Sequence, residues 1–137
     1  MEKIKVLVSW SGDNYCADSV SENINGVVLV SSSTLDGVKK EFESSLKLHI
    51  EGCLADGDIL PEYVANGNYE LDYKLDMSAL LHSLDGFLTR SAIARVSGIN
   101  ERQLGHYASG FRKPRAEQRE KIIKGIHSIG ENLISVV

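Results

Sequence analysis

The sequence predicts an α+β protein with two parts, a sheet domain over residues 1–76 and an all-helical domain over residues 77–137. Two segments of the first part alternate apolar and polar residues, which is typical of half-buried strands. Between them, apolar residues recur every three or four positions, the spacing of an amphipathic helix. After Met77 only helical patterns remain. The expected order is a β-β-β-α-β antiparallel sheet followed by helices.

The first three predicted strands form an antiparallel meander. The segment KIKVLVSW, residues 3–10, alternates so that one face carries Ile4, Val6, Val8 and Trp10. The turn residues SGDN follow, and YCADSV (15–20) is the second predicted strand. The third is VVLVSSS (27–33), whose β-branched residues pack well on a pleated surface.

A long helix and a fourth strand complete the predicted sheet domain. Thr34 is placed to accept a hydrogen bond from the first-turn amides as N-cap, and Gly57 lies where a left-handed residue closes a helix. The apolar stripe of the helix is Leu35, Val38, Phe42, Leu46, His49 or Ile50, and Cys53. The segment YELDYKLD (69–76) then alternates, with an inward face of Tyr69, Leu71, Tyr73 and Leu75. Its mostly acidic outward face consists of Glu70, Asp72, Lys74 and Asp76.

Residues 88–114, LTRSAIARVSGINERQLGHYASGFRKP, predict two short helices that pack against each other. The first begins at Arg90, and the second spans residues 101–109. Ala94 lies where the helices cross, because a larger side chain there would push them apart. Gly98 takes a positive φ in the turn between them at no steric cost. The inward-facing residues are expected to be Ile93, Val96, Ile99, Leu104 and Tyr107.

The second short helix exposes polar side chains of the kinds that reach base edges in a major groove. They are Asn100, Glu101, Arg102, Gln103 and His106. For Glu101 two roles stay open, accepting from a cytosine amino group or only capping the helix. A last helix, from about Arg115, contains Gly125 and Gly130 and therefore needs packing. Its stripe for a core or a second subunit is Ile122, Ile126, Ile129, Leu133 and Val136.

Charge is divided unequally along the chain. The formal net charge is −4, but residues 1–77 carry 6 Lys/Arg against 14 Asp/Glu, whereas residues 78–137 carry 9 against 5. A basic part can approach phosphates, while an acidic part is repelled by nucleic acid and suits a basic protein. The start MEKIKVLVSW lacks the apolar core of a signal peptide, and no apolar run approaches the roughly 20 residues of a membrane span. A cytoplasmic protein without a membrane partner is expected.

The spacing R-x-x-I-A-x-x-x-G-I-x-x-x-x-L-x-x-Y, from Arg90 to Tyr107, is followed by SGFRKP. This pattern resembles the helix-turn-helix of the Cro and lambda-repressor-like family, over about residues 77–133. The resemblance implies that the exposed polar residues of the second helix contact bases of double-stranded operator DNA. It implies phosphate contacts from Arg90, Ser109, Arg112, Lys113 and Arg115. Such repressors bind two half-sites about 34 Å apart as dimers, so a dimer or tetramer is expected. A helical pair that packs and binds nothing is the simpler alternative.

The first part resembles the HicB antitoxins, whose N-terminal domain is a partial ribonuclease-H-like sheet. The matching residues are GDNYCAD (12–18), for the family's Gly-x-Tyr-x-Ala turn, and STLDGVKKEFESSLKLHIEGCLADGDILPE (33–62), for its helix and exit. The segment SENINGVVLV replaces the family's Pro-rich approach to a Gly-Cys pair. The resemblance implies a HicA/HicB-type system in which this domain neutralises a small basic toxin that cuts RNA, and the helical domain represses the operon. The candidate partner contacts are Glu70, Asp72, Asp76 and Trp10.

No enzymatic activity, metal or cofactor is expected. Ribonuclease H activity needs carboxylates that converge on two metal ions, and Asp13, Asp18, Glu41 and Glu43 form no such set in the predicted elements. Cys16 and Cys53 are interpreted as buried, unpaired small apolar residues. The alternative to an antitoxin is a stand-alone transcriptional repressor whose N-terminal sheet serves oligomerisation or ligand sensing.

Overall fold

The computed structural model describes residues 1–20 and 22–137. The chain divides into two compact units, Met1–Asp76 and Met77–Val137. Within the described residues, the first unit contains a four-stranded sheet with two α-helices and a short 3-10 helix (Glu22–Ile24), and the second contains four α-helices, so the α+β class is confirmed. No helix in this described part is long and apolar enough to cross a membrane.

The sheet of the first unit has the order β3-β2-β1-β4. Its strands are β1 (Glu2–Ser11), β2 (Asn14–Ser19), β3 (Leu29–Ser32) and β4 (Tyr69–Leu75). β1 pairs with β2, and β2 with β3, in antiparallel fashion, as the meander predicts. Helix α1 (Leu35–Ala55) and the short helix α2 (Glu62–Ala65), which the sequence did not predict, lie between β3 and β4.

The prediction of a wholly antiparallel sheet is wrong for β4, which pairs with β1 in parallel. Two antiparallel steps make β3 run in the same direction as β1. The 21-residue helix α1 then carries the chain back along the sheet. β4 therefore starts at the same end of the sheet as β1, because a helical crossover joins strands that run in the same direction.

Helix α1 packs its predicted stripe onto one face of this sheet. Thr34 caps α1 as predicted, since its hydroxyl accepts from the Gly37 amide at 2.9 Å. Gly57 has a φ of 79°, in agreement with its predicted left-handed position. Cys53 is buried and Cys16 is only half-buried, and neither forms a disulfide. The core between helix and sheet includes Ile4, Val6, Val8, Ala17, Val38, Phe42, Leu46 and Ile50.

The second unit consists of α3 (Met77–Leu84), α4 (Arg90–Ser97), α5 (Glu101–Ala108) and α6 (Ala116–Ile134). Its core contains the predicted inward residues Ile93, Ile99, Leu104 and Tyr107, joined by Met77, Leu81, Ala108 and Ile122. The prediction for Val96 is wrong, because its side chain is 42 % exposed. Ser97, four residues after Ile93, takes the inward position instead, and its hydroxyl donates to the Ile93 carbonyl at 2.6 Å.

The apolar stripe of α6 is buried at one end only. Ile122 is fully buried and Ile126 packs against the core. Leu133 is 65 % exposed, and Val136 lies beyond the end of the helix and is 75 % exposed. The stripe thus serves the core of this unit near its start and leaves an apolar surface near its end.

Candidate nucleic-acid interface

Helices α4 and α5 follow each other across a short turn, and local hydrogen bonds close their ends. Thr89 caps α4 by accepting from the Ala92 amide at 3.0 Å. Gly98 ends α4 with a φ of 76°, and its amide donates to the Ala94 carbonyl at 2.9 Å. The turn requires a left-handed conformation at this position, and glycine adopts it without steric strain. The start of α5 is therefore held in a defined position relative to α4.

Asn100, predicted to contact a base, is the N-cap of α5. Its Oδ1 accepts from the Gln103 amide at 2.8 Å. One lone pair of the carboxamide oxygen is used by this cap, so its second lone pair and the two Nδ2 hydrogens are left to face a ligand. The structure thus places Asn100 at the start of the predicted reading helix, with one of its four hydrogen-bonding positions used by the fold.

Glu101 and Arg102 follow on the exposed surface of α5. Glu101 lies in the first turn, where a carboxylate interacts favourably with the positive end of the helix dipole. Arg102 forms no ion pair with any residue that the structure describes. Its guanidinium is consequently available to a ligand at the front of α5.

Gln103 and His106 are half-buried and partly committed within the unit. The Nε2 of Gln103 donates to the Tyr107 hydroxyl at 2.9 Å. The His106 ring lies edge-on to Phe111, with centroids 5.2 Å apart. Its Nδ1 is buried and has no hydrogen-bond partner in the structure. These two side chains are therefore less available to contact a ligand than the sequence predicts.

Two of the predicted phosphate contacts also have structural roles. The Arg90 guanidinium lies 3.5 Å from the Asp85 carboxylate. The Ser109 hydroxyl donates to the His106 carbonyl at 3.2 Å and accepts from the Phe111 amide at 3.3 Å. Arg90 therefore joins the start of α4 to the preceding loop, and Ser109 shapes the loop after α5.

The three remaining predicted phosphate contacts, Arg112, Lys113 and Arg115, come together. They line one cleft of about 420 Å³ with Gln103, Tyr107 and Gln118, and no carboxylate contributes to the lining. All three cations are exposed, and none forms an ion pair within the described residues. Arg112 lies over the Phe111 ring, 5.6 Å from its centroid. The cleft is a cationic surface without an internal counterion.

The start of α6 adds to this cleft, which the sequence analysis did not anticipate. Arg115 occupies the N-cap position of α6 and provides no side-chain cap. The first amides of a helix need acceptors and carry the positive end of the helix dipole. A phosphate at this position would meet both needs. The sequence signal was the Pro114–Arg115 pair before the helix, where Ser, Thr, Asp or Asn is the common cap.

The predicted partner contacts of the first unit form a mixed surface rather than an acidic one. Because β4 is the parallel neighbour of β1, Glu70 lies opposite Lys3 and Asp72 opposite Lys5. The Lys74 ammonium is also 3.8 Å from the Asp72 carboxylate. Asp76 is half-buried, and the half-buried Trp10 packs edge-on against Tyr15. Trp10 follows the inward alternation of β1, whereas Glu70 and Asp72 lie on the outward face, so the four residues do not share one face of the sheet.

The structure contains no group of three or more His, Cys, Asp or Glu side chains placed to hold a metal ion, among the residues it describes. Comparisons with models of protein families, with curated proteins and with solved structures find no match to this chain. The geometry and charges of the two units, together with the family resemblances of the sequence, are therefore the grounds for a functional hypothesis.

Proposed function

We propose that this chain is a cytoplasmic DNA-binding antitoxin of a HicA/HicB-type system. In this proposal, residues 77–137 bind operator DNA and repress the operon, and residues 1–76 neutralise a small basic toxin that cuts RNA. One observation carries the DNA-binding half. Arg102, Arg112, Lys113 and Arg115 belong to a capped helix-turn-helix and the loop that follows it, and none has a carboxylate partner among the described residues.

In the proposed complex, α5 lies in the major groove and presents Arg102 to base edges. A guanidinium binds guanine O6 and N7 through two hydrogen bonds, the commonest specific contact in such complexes. Arg112, Lys113 and Arg115, with the first amides of α6, bind backbone phosphates. Phosphate contacts position the protein without reading sequence, and the counterions they release make binding sensitive to salt.

Two variants test this division of roles on DNA from upstream of the chain's own gene. Arg102→Ala should lose about 1–3 kcal/mol of discrimination between the operator and operators changed at one base pair. The double variant Arg112→Ala/Lys113→Ala should weaken binding to all sequences. It should also reduce the slope of log affinity against log salt by about 2, roughly 0.9 for each phosphate contact.

Lys124→Ala is the matched control for these variants. Lys124 is an exposed cation of the same unit, but its ammonium lies 3.0 Å from the Glu120 carboxylate and it does not line the cationic cleft. Its replacement should leave both affinity and salt slope nearly unchanged. Equal binding by all three variants and the unchanged chain would refute the DNA-binding half of the proposal.

The antitoxin half is supported by the charge of the first unit, because residues 1–77 carry 14 Asp/Glu against 6 Lys/Arg. Complementary charge speeds encounter and selects partners, so a basic toxin suits this surface. The test is capture of the tagged full-length chain from its native cells at moderate salt. A small basic protein, captured in near-equal amount and cutting RNA only after separation, is the expected result. Capture of the chain alone, with DNA binding intact, would support a stand-alone repressor instead.

A further inference from the structure

Strand β4 has an open edge. Over Tyr69–Leu75 it pairs with Glu2–Val8 of β1, and no other strand in the described part of the chain pairs with it. An edge strand presents unpaired backbone donors and acceptors that can pair with a strand from another chain. With seven residues, β4 is as long as the strands of an ordinary sheet.

The helix-facing side of β4 is incompletely covered. Tyr69, Leu71 and Tyr73 alternate toward that side as predicted, but all three are only half-buried. The reason is that α1 packs on β2 and β3, toward the other edge of the sheet. The space left beside β4 forms two clefts of about 360 and 220 Å³, both lined by Tyr69. We call this pair of clefts the β4 groove.

Carboxylates line the β4 groove. Glu43 and Glu70 line the larger cleft, while Glu51 and Lys47 line the smaller one. The Glu43 carboxylate is close enough to affect both phenols of the groove. Burial first, and then this carboxylate, raise the pKa of Tyr69, and the same two causes raise the pKa of Tyr73 to about 12. The Lys39 ammonium lies 5.2 Å from the centroid of the Tyr73 ring, and three carboxylates and one ammonium line the two clefts. The groove therefore combines aromatic rings with a net negative charge.

We infer that the β4 groove binds an extended basic segment of a partner protein, which adds to the sheet as a fifth strand beside β4. Backbone pairing at the edge would provide affinity, and alternate side chains would provide specificity. Apolar side chains of the segment cover Tyr69, Leu71 and Tyr73, and its alternate Lys or Arg side chains approach Glu70 on the opposite face of the strand. The Glu43 carboxylate adds negative charge beside the two phenols. A second copy of this chain fits less well, because it would bring the same carboxylates together.

This inference rests on the partner-binding half of the proposed function and identifies its surface. It also differs from the partner surface predicted from sequence. Glu70 belongs to both, but Asp72 and Asp76 do not line the groove, whereas Glu43 and Tyr69 do.

The first test uses a synthetic peptide of about nine residues, a typical strand length, that alternates Lys and Val and carries a fluorescent label. Its binding to the full chain is followed by fluorescence anisotropy, with a Glu and Val peptide of equal length as the negative probe. The double variant Glu43→Lys/Glu70→Lys should bind the Lys and Val peptide at least about tenfold more weakly, since it replaces the negative charge of the groove by positive charge that repels the peptide. Glu43→Gln/Glu70→Gln should weaken binding less and is the variant of choice if the first is unstable.

Glu41→Lys is the matched control, because Glu41 is exposed on the same helix but does not line the groove. It should bind the peptide like the unchanged chain. Equal binding by the groove variants and the control, or no binding by the unchanged chain, would overturn the inference.

Hydrogen exchange measured with and without the Lys and Val peptide tests the pairing itself. Amides within Tyr69–Leu75 should exchange more slowly in the complex, since an added strand accepts from them. Protection confined to other segments would overturn the inference. If these amides became more protected at higher protein concentration in the absence of peptide, the strand that pairs with β4 would come from a second copy of the chain, and the inference of a basic partner segment would be wrong.

Capture from native cells separates this inference from the proposed function. If a basic toxin is captured equally well by the unchanged chain and by Glu43→Lys/Glu70→Lys, the antitoxin proposal stands and the inference that the β4 groove binds the partner is wrong. If neither chain captures a toxin while the peptide binds and protects β4, the groove stands and the antitoxin proposal fails.

Discussion

Gly125 lies where α6 packs closely against the end of α4. A Cβ atom there would lie 2.9 Å from Val96 Cγ2 and 3.2 Å from the Ser97 amide nitrogen. Gly125→Ala should therefore destabilise the second unit by about 1–3 kcal/mol through overpacking, although alanine favours a helix by about 1 kcal/mol. Urea unfolding followed by far-ultraviolet circular dichroism measures the change.

Gly130→Ala is the control for this prediction, because Gly130 lies in the same helix and a Cβ there would meet nothing within 4 Å. It should be stabilising by up to about 1 kcal/mol, from helix propensity alone. If the two alanine variants were equally stable, the close contact between α4 and α6 would not be present in solution.

Tyr73 is one residue through which the stability of the first unit depends on pH. Burial, then the Glu43 carboxylate, raise its pKa from 10.0 to about 12. An unfolded chain loses this proton near pH 10, whereas the folded chain keeps it until about pH 12. The free energy of unfolding should consequently fall between these values. Ultraviolet titration of tyrosinate should show Tyr73 ionising at about pH 12 and Tyr69 also ionising later than an ordinary tyrosine. Glu43→Gln should shift both ionisations to lower pH; an unshifted titration would contradict the charge contact.

Asn100 caps the start of helix α5 and is also a predicted DNA contact, so both roles can be tested in one side chain. Asn100→Ala should cost about 1 kcal/mol of stability because the Gln103 amide loses its acceptor. Asn100→Asp keeps an acceptor and should preserve stability while removing the Nδ2 donor. If that donor contacts DNA, the aspartate variant should bind the operator more weakly at unchanged thermal stability.

Thr89→Ala is the control for the Asn100 variants. Thr89 caps α4 through the same kind of hydrogen bond and is not a predicted DNA contact. It should lower stability like Asn100→Ala, and at temperatures well below unfolding it should bind DNA like the unchanged chain. Normal operator binding by Asn100→Asp would restrict Asn100 to a capping role.

For the whole molecule, the exposed end of α6 is where we expect one copy to meet another. Leu133 and Ile134 are 65 % and 86 % exposed, and Val136 follows them. Leu133→Ser/Ile134→Ser should leave the fold intact, because neither side chain is buried. It should give a monomer in sedimentation and weaken binding to an operator whose half-sites lie about 34 Å apart.

Phe87→Ser provides the control at this scale, since Phe87 is an equally exposed apolar residue of the same unit outside the α6 stripe. It should sediment like the unchanged chain. Unchanged self-association of Leu133→Ser/Ile134→Ser would show that any dimer forms through another surface.

The local patterns of the sequence were sufficient for much of the fold and for part of the candidate site. Alternation placed Ile4, Val6 and Val8 in the core, and Thr34 was identified as the cap of α1. The spacing after Arg90 placed Ile93, Ile99, Leu104 and Tyr107 in one core. These features depend on side-chain periodicity and on hydrogen bonds between residues close in the chain, so they are visible without a tertiary structure.

Only the tertiary structure decided how distant segments meet. The parallel pairing of β4 with β1, which sets Lys3 and Lys5 opposite Glu70 and Asp72, depends on the path of α1 across the sheet. The burial of Ser97 in place of Val96 depends on which face of α4 is covered by the rest of the unit, and Gly125 of α6 lies close to both residues. The gathering of Arg112, Lys113 and Arg115 around one cleft depends on how the loop after α5 folds. The sequence alone determined which residues can be buried, capped or charged, because those properties are local. Which residues from distant segments lie next to each other was decided by packing between helices and strands, which no short sequence pattern encodes.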